Sequence, residues 1–300
     1  MFDNLQILTT APVFNLQLLL NGISIAAIFA LIAYGLGLVW GVTSVKNLSQ
    51  GDMVMMGGYL AYLLHNHGVH PIVAIVPVAI IMFAFGWIIY RLIIKRVIEL
   101  DLFTSLLATF GLAIVIQQAL NLAFGPDVRT IKSGFGNYSF FDGTVDITQI
   151  RLIAIGLCIA LAIAMVLFLR FSRMGQAIRA TAQDPRAARV LGVDTDTVYA
   201  LTFSLNAAIC GAAGVLIAMV WVIAPFYGTA YSIRAFVIVT ASGLGNLPGV
   251  IFIALALGVI EQYSGFILGA QFQQATIVLL LLAILIFRQL ALVRHRRALQ

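Results

Sequence analysis

Polar side chains set deep in apolar sequence carry most of the chemistry this chain can offer. Lipid tolerates an ionisable group only where it faces the interior of a bundle, pairs with another or lines a passage. Glu261, with Gln262 beside it, is the one acid deep in a late apolar run. It reads as a pathway group, unless it lies near the outer end of its span and meets only water. Asp52 closes the polar stretch Asn47-Leu-Ser-Gln50-Gly51-Asp52. Gln117, Gln118 and Asn121 place amides in one apolar run and Asn206 in another, where such groups hold helices together by hydrogen bonds. Arg234, near Tyr231 and Trp221, reads as an interfacial anchor. Glu261 and Asp52 alone fall short of the chain of buried charges that a proton-coupled pump needs.

Other chemistries lack their residues. His65, His67 and His70 have the spacing of metal ligands, but no Cys or acid stands near them, so they read as a loop and no metal is assigned. Cys158 and Cys210 lie in apolar runs and behave as small hydrophobes rather than a disulfide. None of Lys46, Lys95 and Lys132 belongs to a Gly-x-x-x-x-Gly-Lys-Ser/Thr, and neither His-Glu-x-x-His nor Gly-x-Ser-x-Gly occurs. The chain therefore cannot hydrolyse ATP through a P-loop of its own, and without a set of nucleophile, base and oxyanion donor an enzyme is disfavoured.

Helices in lipid must position these groups. Of the 300 residues 62% are hydrophobic and 9% charged, against about 25% charged in soluble domains. The composition specifies an all-α integral membrane protein. The net charge of +6 collects at span ends, not on a basic face that could take nucleic acid. Apolar runs at 13–40, 53–64, 72–90, 103–124, 152–169, 198–223, 233–241, 250–268 and 276–287 predict a polytopic bundle of about 8–9 spans. It forms a single domain over 1–300, with an uncleaved first span and an external loop at 125–149.

Basic loops after residues 90 and 170 are separated by two spans. Both are then cytoplasmic, the N-terminus is outside, and the tail from Arg288 to Arg297 is inside. Two interruptions, Asn47 to Asp52 and Ser242 to Gly249, read either as interface loops or as broken, re-entrant segments. A pair of broken segments in the two halves of a chain points to a transport site. Gly37-x-x-x-Gly41, Gly211-x-x-Gly214 and Gly245-x-x-x-Gly249 permit close helix approach.

The cytoplasmic loop 171–196 has the grammar of folded structure. Asp184-Pro185 is an N-cap followed by Pro at the first helical position, Ala187, Ala188 and Leu191 favour helix, and Gly192 stops it. A short helix at 176–182 precedes it. Two capped helices in one cytoplasmic loop present a surface to a partner, although a solvated hairpin that merely orients the protein fits the same pattern.

Three stretches in order resemble the permease subunits of branched-chain amino-acid ABC importers, the LivH type. The first is Gly35-Leu-Gly37 through Asn47-Leu-Ser-Gln-Gly-Asp52 to Met56-Gly-Gly-Tyr59. The second is Gly175-Gln-Ala-Ile-Arg-Ala-Thr-Ala-Gln-Asp184 with Ala187-Ala188 and Leu191-Gly-Val-Asp194. The third is Ala212 to Gly214 with Gly243-Leu-Gly-Asn-Leu-Pro-Gly249 and Glu261.

The resemblance implies several partners and no cofactor. A second permease of related fold would pair with this chain, two cytoplasmic ATP-binding subunits would dock beneath, and an extracytoplasmic solute-binding protein would deliver cargo. This chain would sit in the lipid of a prokaryotic cytoplasmic membrane. It also implies ATPase coupling through Gly175, Arg179, Ala180, Ala182, Asp184, Ala188, Leu191 and Gly192. A path would run past Asn47, Gln50, Gly51, Asp52, Gln117, Asn206, Gly243, Gly245 and Glu261. The chain departs from the family's Asn-Phe-Ala-His-Gly at Asn47 to Gly51, at Ser242 where glycine is usual, and at Arg288-Gln-Leu290. A urea or short-amide importer is therefore the alternative within the class. A stand-alone channel or secondary carrier is the alternative outside it.

Overall fold

The computed structural model describes residues 8 and 10–298 apart from 99, 133, 141–144 and 244, with side chains described as far as Phe287 except at 12, 102, 140 and 247. The basic side chains of the tail, Arg288, Arg294, His295, Arg296 and Arg297, lie outside the described residues, as does the start of the chain.

The order is α1 (Pro12–Thr43), α2 (Gln50–Asn66), α3 (Pro71–Val97), α4 (Leu102–Phe124), β1 (Asn137–Phe140), β2 (Val145–Thr148), α5 (Gln149–Phe171), α6 (Arg173–Gln183), α7 (Pro185–Val190), α8 (Thr195–Val220), α9 (Gly228–Ser242), α10 (Leu247–Leu268) and α11 (Gln273–Ala298). Among the described residues seven helices are long and apolar enough to cross a membrane: α1, α3, α4, α5, α8, α10 and α11. Their outward faces are oily, as at Phe103, Val115, Leu122 and Phe252, which suits lipid.

The centre is α8, packed against α3, α2 and α1, with Phe203, Ala207, Cys210 and Leu216 fully buried. Small residues let the backbones approach. A Cβ on Gly57 would collide with the backbone of Gly211, and one on Gly214 would strike Val54 O and Gly58 N. The expected close approach thus holds at Gly211 and Gly214. It does not at the other two pairs: Gly41 faces open space, and Gly245 is a turn residue with φ +77°.

The bundle departs from the predicted span pattern at two places. After α1, Ser44 turns the chain in a left-handed conformation (φ 60°), and 45–49 is non-helical before α2 begins at Gln50. Asn47, Ser49, Gln50 and Asp52 are all buried. The sequence places the second interruption at Ser242 to Gly249, but Gly245 and Asn246 are exposed in an ordinary turn. The partly buried interruption that matches the first is 221–227, whose first three residues the hydropathy pattern assigns to the end of a span. There Ile223, Ala224 and Pro225 are buried, and Ile223 exchanges backbone hydrogen bonds with Arg129 at 2.8 Å. The nine apolar runs therefore comprise seven long helices plus α2 and α9, of 17 and 15 residues.

Loop 125–149 is more ordered than its turn residues suggest. It holds an antiparallel hairpin, Asn137–Phe140 with Val145–Thr148, and Gln149 already begins α5. Contacts sort the ends of the helices into two faces. Asp196, at the start of α8, bonds Tyr90, Arg91 and Lys95 at the end of α3, so the two basic loops share a face. Gln17 at the start of α1 meets Asp146 of the hairpin on the other. His67 bonds the carbonyl of Leu63 and His70 caps α3 by accepting from Ile72 N, so both serve the α2–α3 turn.

Because backbone rather than a flexible side chain blocks Gly214, Gly214→Val must force α2 off α8, at a cost of about 1–3 kcal/mol or more. Thermal unfolding in detergent is expected to show a clear loss of Tm for this variant and almost none for Gly41→Ala, which has room for the methyl group.

Candidate functional site

The N-termini of the two short helices meet beside the middle of α8. Gly51 N donates to Ser232 Oγ at 2.8 Å, and Ser232 Oγ donates to Leu48 O at 2.9 Å. A Cβ on Gly51 would collide with Gly228 O, and one on Gly228 with Asp52. Two helix N-termini, each carrying partial positive charge, thus converge on the Asp52 carboxylate. No side chain of its own caps α9, so Asp52 is the anion nearest its start. Asp52 Oδ1 accepts from Gln117 Nε2 at 2.9 Å, whereas buried Oδ2 has no partner.

Gln50 clasps the junction. Its Nε2 donates to Asn206 Oδ1 at 2.9 Å and its Oε1 accepts from Asn206 Nδ2 at 2.9 Å; the same Nε2 also reaches Ile32 O at 3.0 Å. One side chain therefore links α1, α2 and α8. Asn47, Gln50, Gly51, Asp52, Gln117 and Asn206, separate in sequence, come together here. Gly243 and Gly245 do not: they line a separate cavity between α1, α5, α6 and α10.

Glu261 also stands apart, 2% exposed and locked to Arg234, whose Nη2 lies 2.5 Å from Oε1 and whose Nε lies 3.1 Å from Oε2. The guanidinium stacks near Phe29 and Tyr231, with centroids at 5.3 and 5.8 Å. Arg234 is thus a bundle residue and not an interfacial anchor. The aromatic neighbours that suggested the membrane interface are instead its cation–π partners.

The segment 171–196 is built on a chain of caps. Ser172 accepts from Gly175 N at 2.8 Å and starts α6 three residues before the predicted 176–182. Gly175 is pressed against the last carbonyls of α5, and Ile178 packs with Val42 and Val198. Asp184 caps α7, accepting from Arg186 N at 2.8 Å and Ala187 N at 3.0 Å. These N–H groups, Ala187 first, hold its carboxyl below the ordinary carboxylate range. Ala188 is buried and Gly192 closes the turn at φ +87°. Val190 and Leu191 are 87% and 82% exposed at the tip, with Ala180 and Ala182 exposed on α6. Arg179 turns back toward Arg170 O, at 3.4 Å.

Sequence reading missed the anchor of this segment. Asp196 Oδ1 accepts from Tyr90 Oη at 2.8 Å, and Oδ2 from Lys95 Nζ at 2.7 Å and Arg91 Nη1 at 3.1 Å. Residues five apart do not align on an α-helix, but 90–94 is a π-turn, whose bonds run i to i+5. The spacing of Tyr90 and Lys95 was the available signal.

Breaking a buried pair leaves an uncompensated charge, at about 3–5 kcal/mol, whereas replacing both partners with apolar residues is often neutral. Arg234→Met and Glu261→Met singly are expected to lower the unfolding temperature strongly. The double variant should recover most of the loss, read by thermal unfolding in detergent.

A family model described as "Branched-chain amino acid transport system / permease component" matches residues 18–288. The high-affinity branched-chain amino acid transport system permease protein LivH of Escherichia coli K12 is 31% identical over 287 residues, 90% of this chain and 92% of that protein. LivH of Salmonella typhimurium is 30% identical over 285 residues, 90% and 92% respectively. BraD of Pseudomonas aeruginosa is 29% identical over 287 residues, 91% and 94%. With matches along nearly all of its length, this chain belongs to the permease-component family of branched-chain amino acid transport systems.

Proposed function

We infer that this chain is the membrane permease subunit of an ATP-driven importer of branched-chain amino acids in a prokaryotic cytoplasmic membrane. A second permease of related fold, two cytoplasmic ATP-binding subunits and an extracytoplasmic solute-binding protein complete the assembly. The observation that carries this reading is the capped α6–α7 pair, which offers an apolar tip at Val190 and Leu191 to the cytoplasmic side. Two bare aliphatic side chains on a rigid turn suit a cleft in another subunit.

Helices of 17 and 15 residues are about 26 and 22 Å long, short of the ~30 Å hydrocarbon core. In this reading 45–49 with α2 and 221–227 with α9 each complete one broken crossing, giving nine with the N-terminus outside. Broken crossings whose N-termini meet at mid-depth are where a substrate site forms in transporters. The junction of Asn47, Gln50, Gly51, Asp52, Gln117 and Asn206 is then the closed constriction. The free Asp52 oxygen receives the cargo's ammonium group when the helices part. Gly243 and Gly245 stand on the cytoplasmic side, and Glu261 acts through its pair with Arg234.

ATP-driven closure of the partner subunits pushes on 175–192. Gly175 and Ala188 keep the segment seated, Arg179 ties it to α5, and Asp184 and Gly192 fix its two ends. Ala180, Ala182 and Leu191 form the contact face. Helices α5 and α8, which flank the segment, rock and change the side to which the junction opens.

The test is a purified, reconstituted assembly with Val190→Asp/Leu191→Asp. Leucine uptake is expected to fall at least tenfold and the ATP-binding subunits to dissociate, while the second permease still co-purifies. Unchanged uptake rejects the coupling face. Urea outcompeting leucine in the wild type rejects the cargo, and ATP-independent transport by the chain alone rejects the class.

A further inference from the structure

The bundle is open along one side of α1. A cavity of about 650 Å³ begins at the cytoplasmic end between Arg170 and Arg179 and follows Val42, Leu38 and Val166 to Tyr34. A second, of about 260 Å³, shares Tyr34, Val166 and Val250 with it and continues along Ala30, Ala162 and Cys158 to Ile23. From Val42 to Ile23 the two follow roughly 30 Å of helix, at 1.5 Å per residue.

The two ends differ in chemistry. Arg170 and Arg179 stand at the mouth, no acid lines either cavity, and among the described residues no carboxylate pairs with either guanidinium. Beyond Tyr34 the slot is walled by aliphatic side chains and one cysteine. At the join, Tyr34 Oη is buried without a hydrogen-bond partner. A buried hydroxyl left so is costly, and a ligand oxygen would satisfy it. A cationic mouth, one lone donor and a long apolar slot match an anionic head on a hydrocarbon chain. A small zwitterion would leave the slot empty, and a helix about 10 Å across cannot enter it. The cavity is separate from the junction, because α1 turns Ile32 and Gly35 to Gln50 and Asn206 but Tyr34, Leu38 and Gly41 to the cavity.

We propose that this fissure holds one anionic phospholipid of the inner leaflet, its phosphate on Arg170 and Arg179 and an acyl chain lying past Tyr34 in the apolar slot. Basic pockets between spans on the cytoplasmic side recognise such headgroups. Since Arg179 belongs to α6 and Arg170 to α5, the bound lipid ties the cytoplasmic segment to the bundle.

The full chain, purified in detergent and exchanged with phosphatidylglycerol or phosphatidylcholine of the same acyl composition, is examined by native mass spectrometry. One phosphatidylglycerol should survive washing that removes phosphatidylcholine. Arg170→Gln/Arg179→Gln should lower its retention at least tenfold, and Arg170→Lys/Arg179→Lys should keep it. Ala162→Phe, which fills the slot, should lose the lipid with both arginines intact. Equal retention of the two lipids overturns the proposal, as does retention unchanged in both the glutamine and the phenylalanine variants. Displacement by leucine would assign the cavity to cargo, and displacement by inorganic phosphate as effective as the lipid would leave the slot no part in binding. Either result also rejects the proposal.

Discussion

A backbone that leaves its helix inside a membrane bundle must find its hydrogen-bond partners in the protein packed around it, because lipid offers none. This constraint shapes the centre of the molecule. Over 45–49 the chain forms no helical ladder, and side chains of α1 (Thr43, to Val45 N at 3.2 Å), α4 and α9, with its own Asn47, supply what it lacks. Thr109 of α4 accepts from Leu48 N and stands 3.2 Å from Lys46 O. Ser232 of α9 donates to Leu48 O and accepts from Gly51 N, and Asn47 Oδ1 accepts from Ser49 N at 3.1 Å. An unpaired group at that depth costs several kcal/mol. Two or three of them would cancel the margin of about 5–15 kcal/mol on which folded proteins rest. Serine, threonine and asparagine at these positions are conditions for the break to exist.

The same demand explains why glycine meets glycine. Exchanging side-chain hydroxyls with a neighbouring backbone requires the two main chains nearly in contact, and any Cβ at Gly51 or Gly228 prevents this. Close approach in turn brings two positive helix ends together, an unfavourable arrangement unless an anion lies between them. Asp52 meets that need with one oxygen held by Gln117 and the other unbonded. Polar satisfaction, small residues and the buried carboxylate are three consequences of a single break.

How much of this could be read from the chain follows from what each signal measures. Asp184-Pro185 and Gly192 announced α7 because caps are local chemistry, written within three or four residues. The polar run from Asn47 to Asp52 announced the first break because composition changes there. The second break is silent. Trp221-Val-Ile-Ala-Pro-Phe-Tyr227 is as apolar as a helix, and hydropathy cannot distinguish an extended apolar strand from a helical one. Only Pro225 and Gly228 mark it. Arg234 and Glu261 lie 27 residues apart and Tyr90 and Asp196 lie 106 apart, so no periodicity relates either pair. The residues of the junction share this limit. Their types were legible, but the clasp between Gln50 and Asn206 depends on a packing no spacing encodes.

The long helices connect the segment 171–196 to that clasp. Ile178 of α6 packs between Val42, at the end of α1, and Val198, at the start of α8. Ten residues farther along α1 is Ile32, and eight farther along α8 is Asn206, about 15 and 12 Å away. Both are held by the one Gln50 amide. Asp196 fixes the start of α8 to α3 through three bonds, whereas the same end of α1 finishes at the left-handed turn of Ser44, with no ion pair among the described residues. In the coupling mechanism proposed above, a force on α6 meets one helix end held by ion pairs and another held by packing and hydrogen bonds alone. On that proposal Ile32 shears against Asn206, and Gln50 gives up one of its two partners.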